Sequence, residues 1–223
     1  MKRLTIILTI ILYSVSMIIA QDLESIYQNA IEGNYDYAIN EYSVHYLNTS
    51  NIDALVGRAQ VYAWKGDFQH SLDDYSEAIE KDPENLQARI GLGYLYAWNE
   101  MPYSAIETFE TLLKIDPKNK EVLKGIAYVH LWAGNFSEAR NYFATLRQID
   151  QSDLDSWVGL GETYLQSGDV HQGRVIMSHV LSFDPNHENA LNQLHNAIYQ
   201  PAMFDFSIWS GVSEAGSENG SAG

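Results

Sequence analysis

The segments VYAWKGDF (61–68), LYAWNEMPY (95–103) and HLWAGNF (130–136) place Trp64, Trp98 and Trp132 at a constant spacing of 34 residues. A period of this length marks a stacked helix–turn–helix array, in which one unit is too small to bury its own apolar face. Working outward gives blocks at 52–85, 86–119, 120–153 and 154–187. Each block carries two segments with apolar residues at helical spacing. In the second, Leu92, Leu95 and Tyr96 share one face, and Ile106, Phe109, Leu112 and Leu113 share another. Gly66, Gly134 and Gly168 fall between the two segments, where a chain reversal needs a permissive backbone. Asp82-Pro83, Asp116-Pro117 and Asp184-Pro185 mark the ends of second helices, because proline cannot continue one. Small residues at Ala59, Gly93, Ala127 and Gly161 allow close approach of neighbouring helices.

The fourth block contains Trp157, Leu160, Gly161 and Tyr164 in the pattern W-x2-L-G-x2-Y. The second supplies Leu92, Gly93, Tyr96, Ala105, Phe109 and Pro117 at corresponding positions. The first offers Ala59, Tyr62, Ser71, Tyr75, Ala78 and Pro83; the third offers Ile126, Ala127, His130, Ala139, Phe143 and Leu146. In this spacing the chain resembles tetratricopeptide repeat proteins over roughly residues 22–199. The resemblance implies an all-α, right-handed superhelical solenoid whose first helices line a concave groove. Residues 22–51, with Gly33-Asn34-Tyr35, Ala38 and Tyr42, read as a degenerate leading repeat, and 188–199 (ENALNQLHNAIY) as a closing helix.

Bulk composition limits the function. With 13 basic and 29 acidic residues the net charge is −16, which argues against nucleic-acid binding because the phosphate backbone selects basic surfaces. The chain has no cysteine, so disulfides, thiolate metal sites and cysteine nucleophiles are excluded. Residues 1–20 read as a signal peptide: Lys2 and Arg3, then an apolar run, then Ala20 before Gln21-Asp22. An uncleaved membrane anchor is the alternative. Removing the segment with its two basic residues takes the net charge from −16 to −18.

Beyond Pro201 the period changes from 3.6 to 2. Phe204, Phe206, Ile208, Ser210 and Val212 alternate with Asp205, Ser207, Trp209, Gly211 and Ser213. The stretch 200–223 reads either as the start of an outer-membrane β-barrel, in a sequence then expected to be a fragment, or as a disordered tail. The order of parts is similar to the YaiO family of outer-membrane β-barrel proteins, on Ala63-Trp64, Ala97-Trp98, Leu131-Trp132-Ala133 and Phe204–Val212. That resemblance implies a non-catalytic periplasmic domain of a Gram-negative bacterium, binding a partner protein or an exported polysaccharide. A free periplasmic or secreted protein–protein adaptor is the alternative.

Candidate ligand-binding residues follow from register. Trp64, Trp98 and Trp132 occupy the thirteenth position of their blocks, with Tyr94 and Tyr128 one turn earlier on a similar face. By the family resemblance these positions point into the groove. There the rings form an aromatic ladder for a sugar or peptide, unless they fill space between repeats. Gly57, Gly91, Gly125 and Gly159 also recur at 34 residues inside first helices, where glycine costs about 1 kcal/mol relative to alanine. Close helix crossing and close approach of a bound chain are the two readings.

Other apparent motifs carry no chemistry. Gly91-Leu92-Gly93 and Gly159-Leu160-Gly161 lack the preceding strand of a phosphate loop. His171, His179, His187 and His195 recur every eight residues, which rotates successive side chains by roughly 80° on a helix. Asp73, Asp74 and Glu77 read as a solvated helix face. No catalytic residue, cofactor or metal site is expected.

Overall fold

The computed structural model of the protein describes residues 22–199, and every regular element among them is a helix. In chain order these are α1 (22–31), α2 (Tyr35–Thr49), α3 (Ile52–Lys65), α4 (Phe68–Lys81), α5 (Leu86–Trp98) and α6 (Pro102–Ile115). They are followed by α7 (Lys120–Trp132), α8 (Phe136–Ile149), α9 (Leu154–Gln166), α10 (Val170–Phe183) and α11 (Glu188–Tyr199). The expected signal segment and the alternating stretch 204–212 lie outside the described residues. The chain divides into two compact units, one through Ile149 and one from Asp150.

Local sequence explains where the helices start and stop. Asn51, Asp67, Asn85, Asn119, Asp153 and Asp169 each accept a hydrogen bond from a backbone N–H in the first turn that follows. Such caps stabilise a helix by about 1 kcal/mol each. At the opposite ends, Gly66, Gly134 and Gly168 turn the chain with φ of 81°, 76° and 90°. Asp82, Asp116 and Asp184 close α4, α6 and α10 just before the prolines.

In the first unit two second helices each pack between their own first helix and that of the next repeat: α4 against α3 and α5, and α6 against α5 and α7. First helices also touch in sequence, α3 with α5 and α5 with α7. The first helices therefore share one side of the unit. The core repeats with the helices: Leu55, Ala59, Tyr75, Ala78, Ala88 and Leu95 form one buried cluster. Ile90, Ala105, Phe109, Leu112, Val122, Ile126 and Val129 form another.

The periodic glycines are explained by this stacking. A Cβ placed on Gly57 would sit 2.7 Å from the Tyr42 ring, and one on Gly125 would sit 2.7 Å from Phe109. On Gly91 it would run into the Tyr75 ring more closely still. Each of these rings comes from the second helix of the preceding repeat. Of the two readings, close helix crossing accounts for these three positions: the missing side chain seats a neighbour's ring rather than a bound chain. Phe109 is fully buried between Gly93 and Gly125, so one aromatic side chain joins two first helices.

The second unit is built the same way. α9 and α10 pair, and α11 packs against both. Val158, Met177, Val180 and Ala190 form its core. Gly161 admits the Met177 side chain.

Candidate functional site

The three tryptophans of the 34-residue ladder lie on α3, α5 and α7, the first helices of the first unit, yet they are not equivalent. Trp98 and Trp132 each keep 50% of their surface exposed. Their register mates complete a repeated pair. Tyr94 stacks on Trp98 with centroids 5.8 Å apart, and Tyr128 lies 5.7 Å from Trp132. Each tyrosine is also braced edge-on from behind by the buried ring of its own repeat, Tyr94 by Phe109 at 5.3 Å and Tyr128 by Phe143 at 5.1 Å. The result is a half-open indole held by a half-buried phenol, itself held by a core phenylalanine.

Trp64 departs from this arrangement. Gln60 stands where the second and third blocks have tyrosine, and Trp64 instead packs on Tyr27 of α1 at 5.7 Å. It belongs to the apolar cluster of Ile26, Ala30, Ala38, Tyr42, Ala54 and Val61. The leading repeat thus covers Trp64, while Trp98 and Trp132 stay half-open.

One acidic group, Glu121, acts on Tyr94 of the first pair. Gln87 donates to Glu121 at 3.3 Å across one repeat. Burial first, and the Glu121 charge second, push the Tyr94 hydroxyl up to about 12. This phenol stays neutral at physiological pH.

One expectation about charge is overturned. Asp73 is exposed, but Asp74 is 7% exposed and Arg58 donates to both its carboxylate oxygens at 2.7 Å. Arg58 also donates to Ser43 at 3.0 Å and lies over the Tyr46 ring at 5.8 Å. Glu77 accepts from Tyr46 at 2.5 Å and pairs with Lys81 at 3.5 Å. Asp73 is the solvated acid that its sequence position suggests, and Glu77 is solvated in part, with 42% of its side chain exposed. Asp74 and Glu77 tie α4 to α3 and α2, because the stack brings an arginine and a tyrosine of earlier helices over this face. Sequence order hides that, since Arg58 and Asp74 are 16 residues apart.

The histidines spaced by eight have separate surroundings. His179 packs between Trp157 at 4.5 Å and Phe183 at 5.0 Å. His187 accepts from the Ala190 N–H at 3.4 Å. In the first unit, His130 is buried and stacked on Tyr142 at 5.5 Å, and burial holds its pKa below the usual histidine value.

The repeat geometry agrees with comparison to known proteins. One tetratricopeptide repeat model matches residues 56–120, and a second matches 99–158 and 133–198. The chain is a tetratricopeptide repeat protein. No curated protein matches it in sequence. Among solved structures, a thermophilic tetratricopeptide repeat protein from Thermus thermophilus superposes with a TM-score of 0.70 at 14% identity, over 81% of this chain and 98% of that one. A tetratricopeptide repeat protein from Parabacteroides merdae gives 0.63 at 18% identity, over 86% and 82%. YrrB, described as a tetratricopeptide repeat protein with an unusual peptide-binding site, gives 0.54 at 19% identity, over 77% and 89%. At these identities the likeness concerns the fold.

Proposed function

We propose that this tetratricopeptide repeat protein is a non-catalytic interaction module that holds a polypeptide partner against the first-helix side of its first unit. The observation that carries the reading is the repeated Tyr–Trp pair: Tyr94 with Trp98 and Tyr128 with Trp132, each indole half-exposed on a braced tyrosine. Large, rigid aromatic side chains left open at fixed intervals suit an extended chain, because they contribute contact area with little loss of conformational freedom. Trp64 serves as the packed end of the row. The peptide-binding site named for YrrB lends the same fold a precedent for this use.

A second reading, an exported polysaccharide, is favoured by the open indole faces, which stack on sugar rings as readily as on peptide. It belongs with the resemblance to YaiO-type proteins and with an apolar leader, Leu4–Leu12, behind Lys2-Arg3. In that setting the module works in the periplasm and residues 200–223 begin an outer-membrane barrel; an exported adaptor without a barrel is the other setting.

Probing the whole chain on immobilised peptide and glycan arrays separates the ligands. Peptide capture that drops at least about tenfold in the Trp98→Ala/Trp132→Ala double variant supports the first reading. Glycan capture with the same sensitivity supports the second. Capture that ignores both indoles contradicts both.

A further inference from the structure

At one turn the repeat is broken three times, and two of the breaks, Glu100 and Pro102, line one depression. After α3, α7 and α9 the chain reads Gly66-Asp67-Phe68, Gly134-Asn135-Phe136 and Gly168-Asp169-Val170; after α5 it reads Glu100-Met101-Pro102. Glu100 takes the left-handed backbone that glycine takes elsewhere, with φ at 58°. That conformation is disfavoured for a residue with a Cβ. Met101 stands where Asp67 and Asp169 cap the next helix, and α6 begins with no side-chain cap. Phe68 packs into its own repeat's core, whereas Pro102 has a much shorter side chain at that register.

Beside Pro102 lies a depression of about 260 Å³, lined by Ala97, Glu100, Pro102, Val129, Trp132 and Ala133. Unfavourable backbone retained beside a cavity is a pointer to function. The lining combines an apolar floor, one half-open indole and one exposed carboxylate that forms no ion pair among the described residues. The volume falls below the roughly 300–1,000 Å³ of pockets that enclose whole small molecules, and suits a single side chain.

We propose that this depression receives one lysine or arginine side chain of the partner polypeptide. The aliphatic stem lies along Ala97, Val129 and the Trp132 ring, and the cationic end meets Glu100. A carboxylate and an indole face both attract a cation. The net charge of −16 draws a basic partner from a distance. This inference rests on the polypeptide-binding reading above.

The test titrates the 15N-labelled whole chain with Nα-acetyl-lysine methylamide and, separately, with its uncharged norleucine counterpart, reading the Trp132 indole N–H assigned with Trp132→Phe. The lysine probe is expected to shift that signal saturably, with the norleucine probe at least about tenfold weaker. Glu100→Gln is expected to weaken the lysine probe by a similar factor while leaving the circular-dichroism melting curve in place. Equal response to the two probes, or full lysine affinity in Glu100→Gln, overturns the proposal. On the peptide array, basic peptides captured equally by wild type and Glu100→Gln sink this inference alone. A wild type that captures no peptide sinks the polypeptide reading itself.

Discussion

Tyr42, Tyr75 and Phe109 press their rings onto Gly57, Gly91 and Gly125 of the next first helix. In the same unit, Trp98 and Trp132 leave half their surface open. Both sets recur with the repeat, and both are large aromatic side chains on helices. The difference lies in what the facing position carries. On the seam a glycine opposite each ring removes the Cβ and lets the helix backbone itself become the floor. On the first-helix side each indole leans on its own tyrosine and keeps half its surface open. Periodicity alone therefore does not separate packing from recognition. The separation comes from the residue across the contact.

That contrast can be broken most severely at the seam. Phe109→Ala should cost about 3–5 kcal/mol, since the ring is fully buried and joins two first helices. Chemical denaturation of the variant reads this directly. A loss below about 1 kcal/mol would mean that the ring is not the link between repeats.

Gly91→Ala is a sharper probe because two effects oppose one another. Alanine gains up to about 1 kcal/mol of helix propensity over glycine. The added methyl must displace the buried Tyr75 ring, and such overpacking costs about 1–3 kcal/mol. The expected outcome is net destabilisation. A more stable protein would show that the ring yields freely.

Smaller effects distinguish the turns. Glu100→Gly is expected to stabilise the chain by about 0.5–1 kcal/mol, because glycine relieves the left-handed backbone. Gly66→Ala, at φ 81°, should destabilise it by about 1 kcal/mol. Thermal melts of the pair check the signs. The same sign for both would remove the contrast between a regular turn and one that departs from the repeat.

The smallest effect concerns pH. Burial lowers the pKa of His130, so the folded state binds this proton less readily than the unfolded chain, whose histidines titrate near about 6.5. The contribution of His130 is complete above that pH and is lost as pH falls below it. The melting temperature of wild type should therefore fall more between pH 7 and pH 5 than that of His130→Asn. Parallel curves would show that His130 is as easily protonated folded as unfolded.

The sequence showed the fold clearly and the candidate site only in part. Period, turn glycines and Asp-Pro pairs each record a local requirement, so α3 to α10 are visible in them. The reason for Gly57, Gly91 and Gly125 is not local: the ring that needs the space lies on an earlier helix, across the stack. The Arg58–Asp74 fork is hidden in the same way, by a partner that only stacking brings near. Trp64 shared the register of Trp98 and Trp132, yet Gln60 in place of tyrosine and Tyr27 on α1 gave it a different environment. Glu100 reads in sequence as one more polar turn residue. Its significance appears only with the sign of its φ and the space left by Pro102.

The most direct test compares the unfolding free energies of Trp98→Ala, Trp132→Ala and Phe109→Ala in one denaturant series. Open, recognition-type indoles should cost less than about 1.5 kcal/mol each, the value of a single aromatic pair, against about 3–5 kcal/mol for the seam ring. Tryptophan variants as damaging as Phe109→Ala would make the indoles part of the core and contradict a binding face built on them.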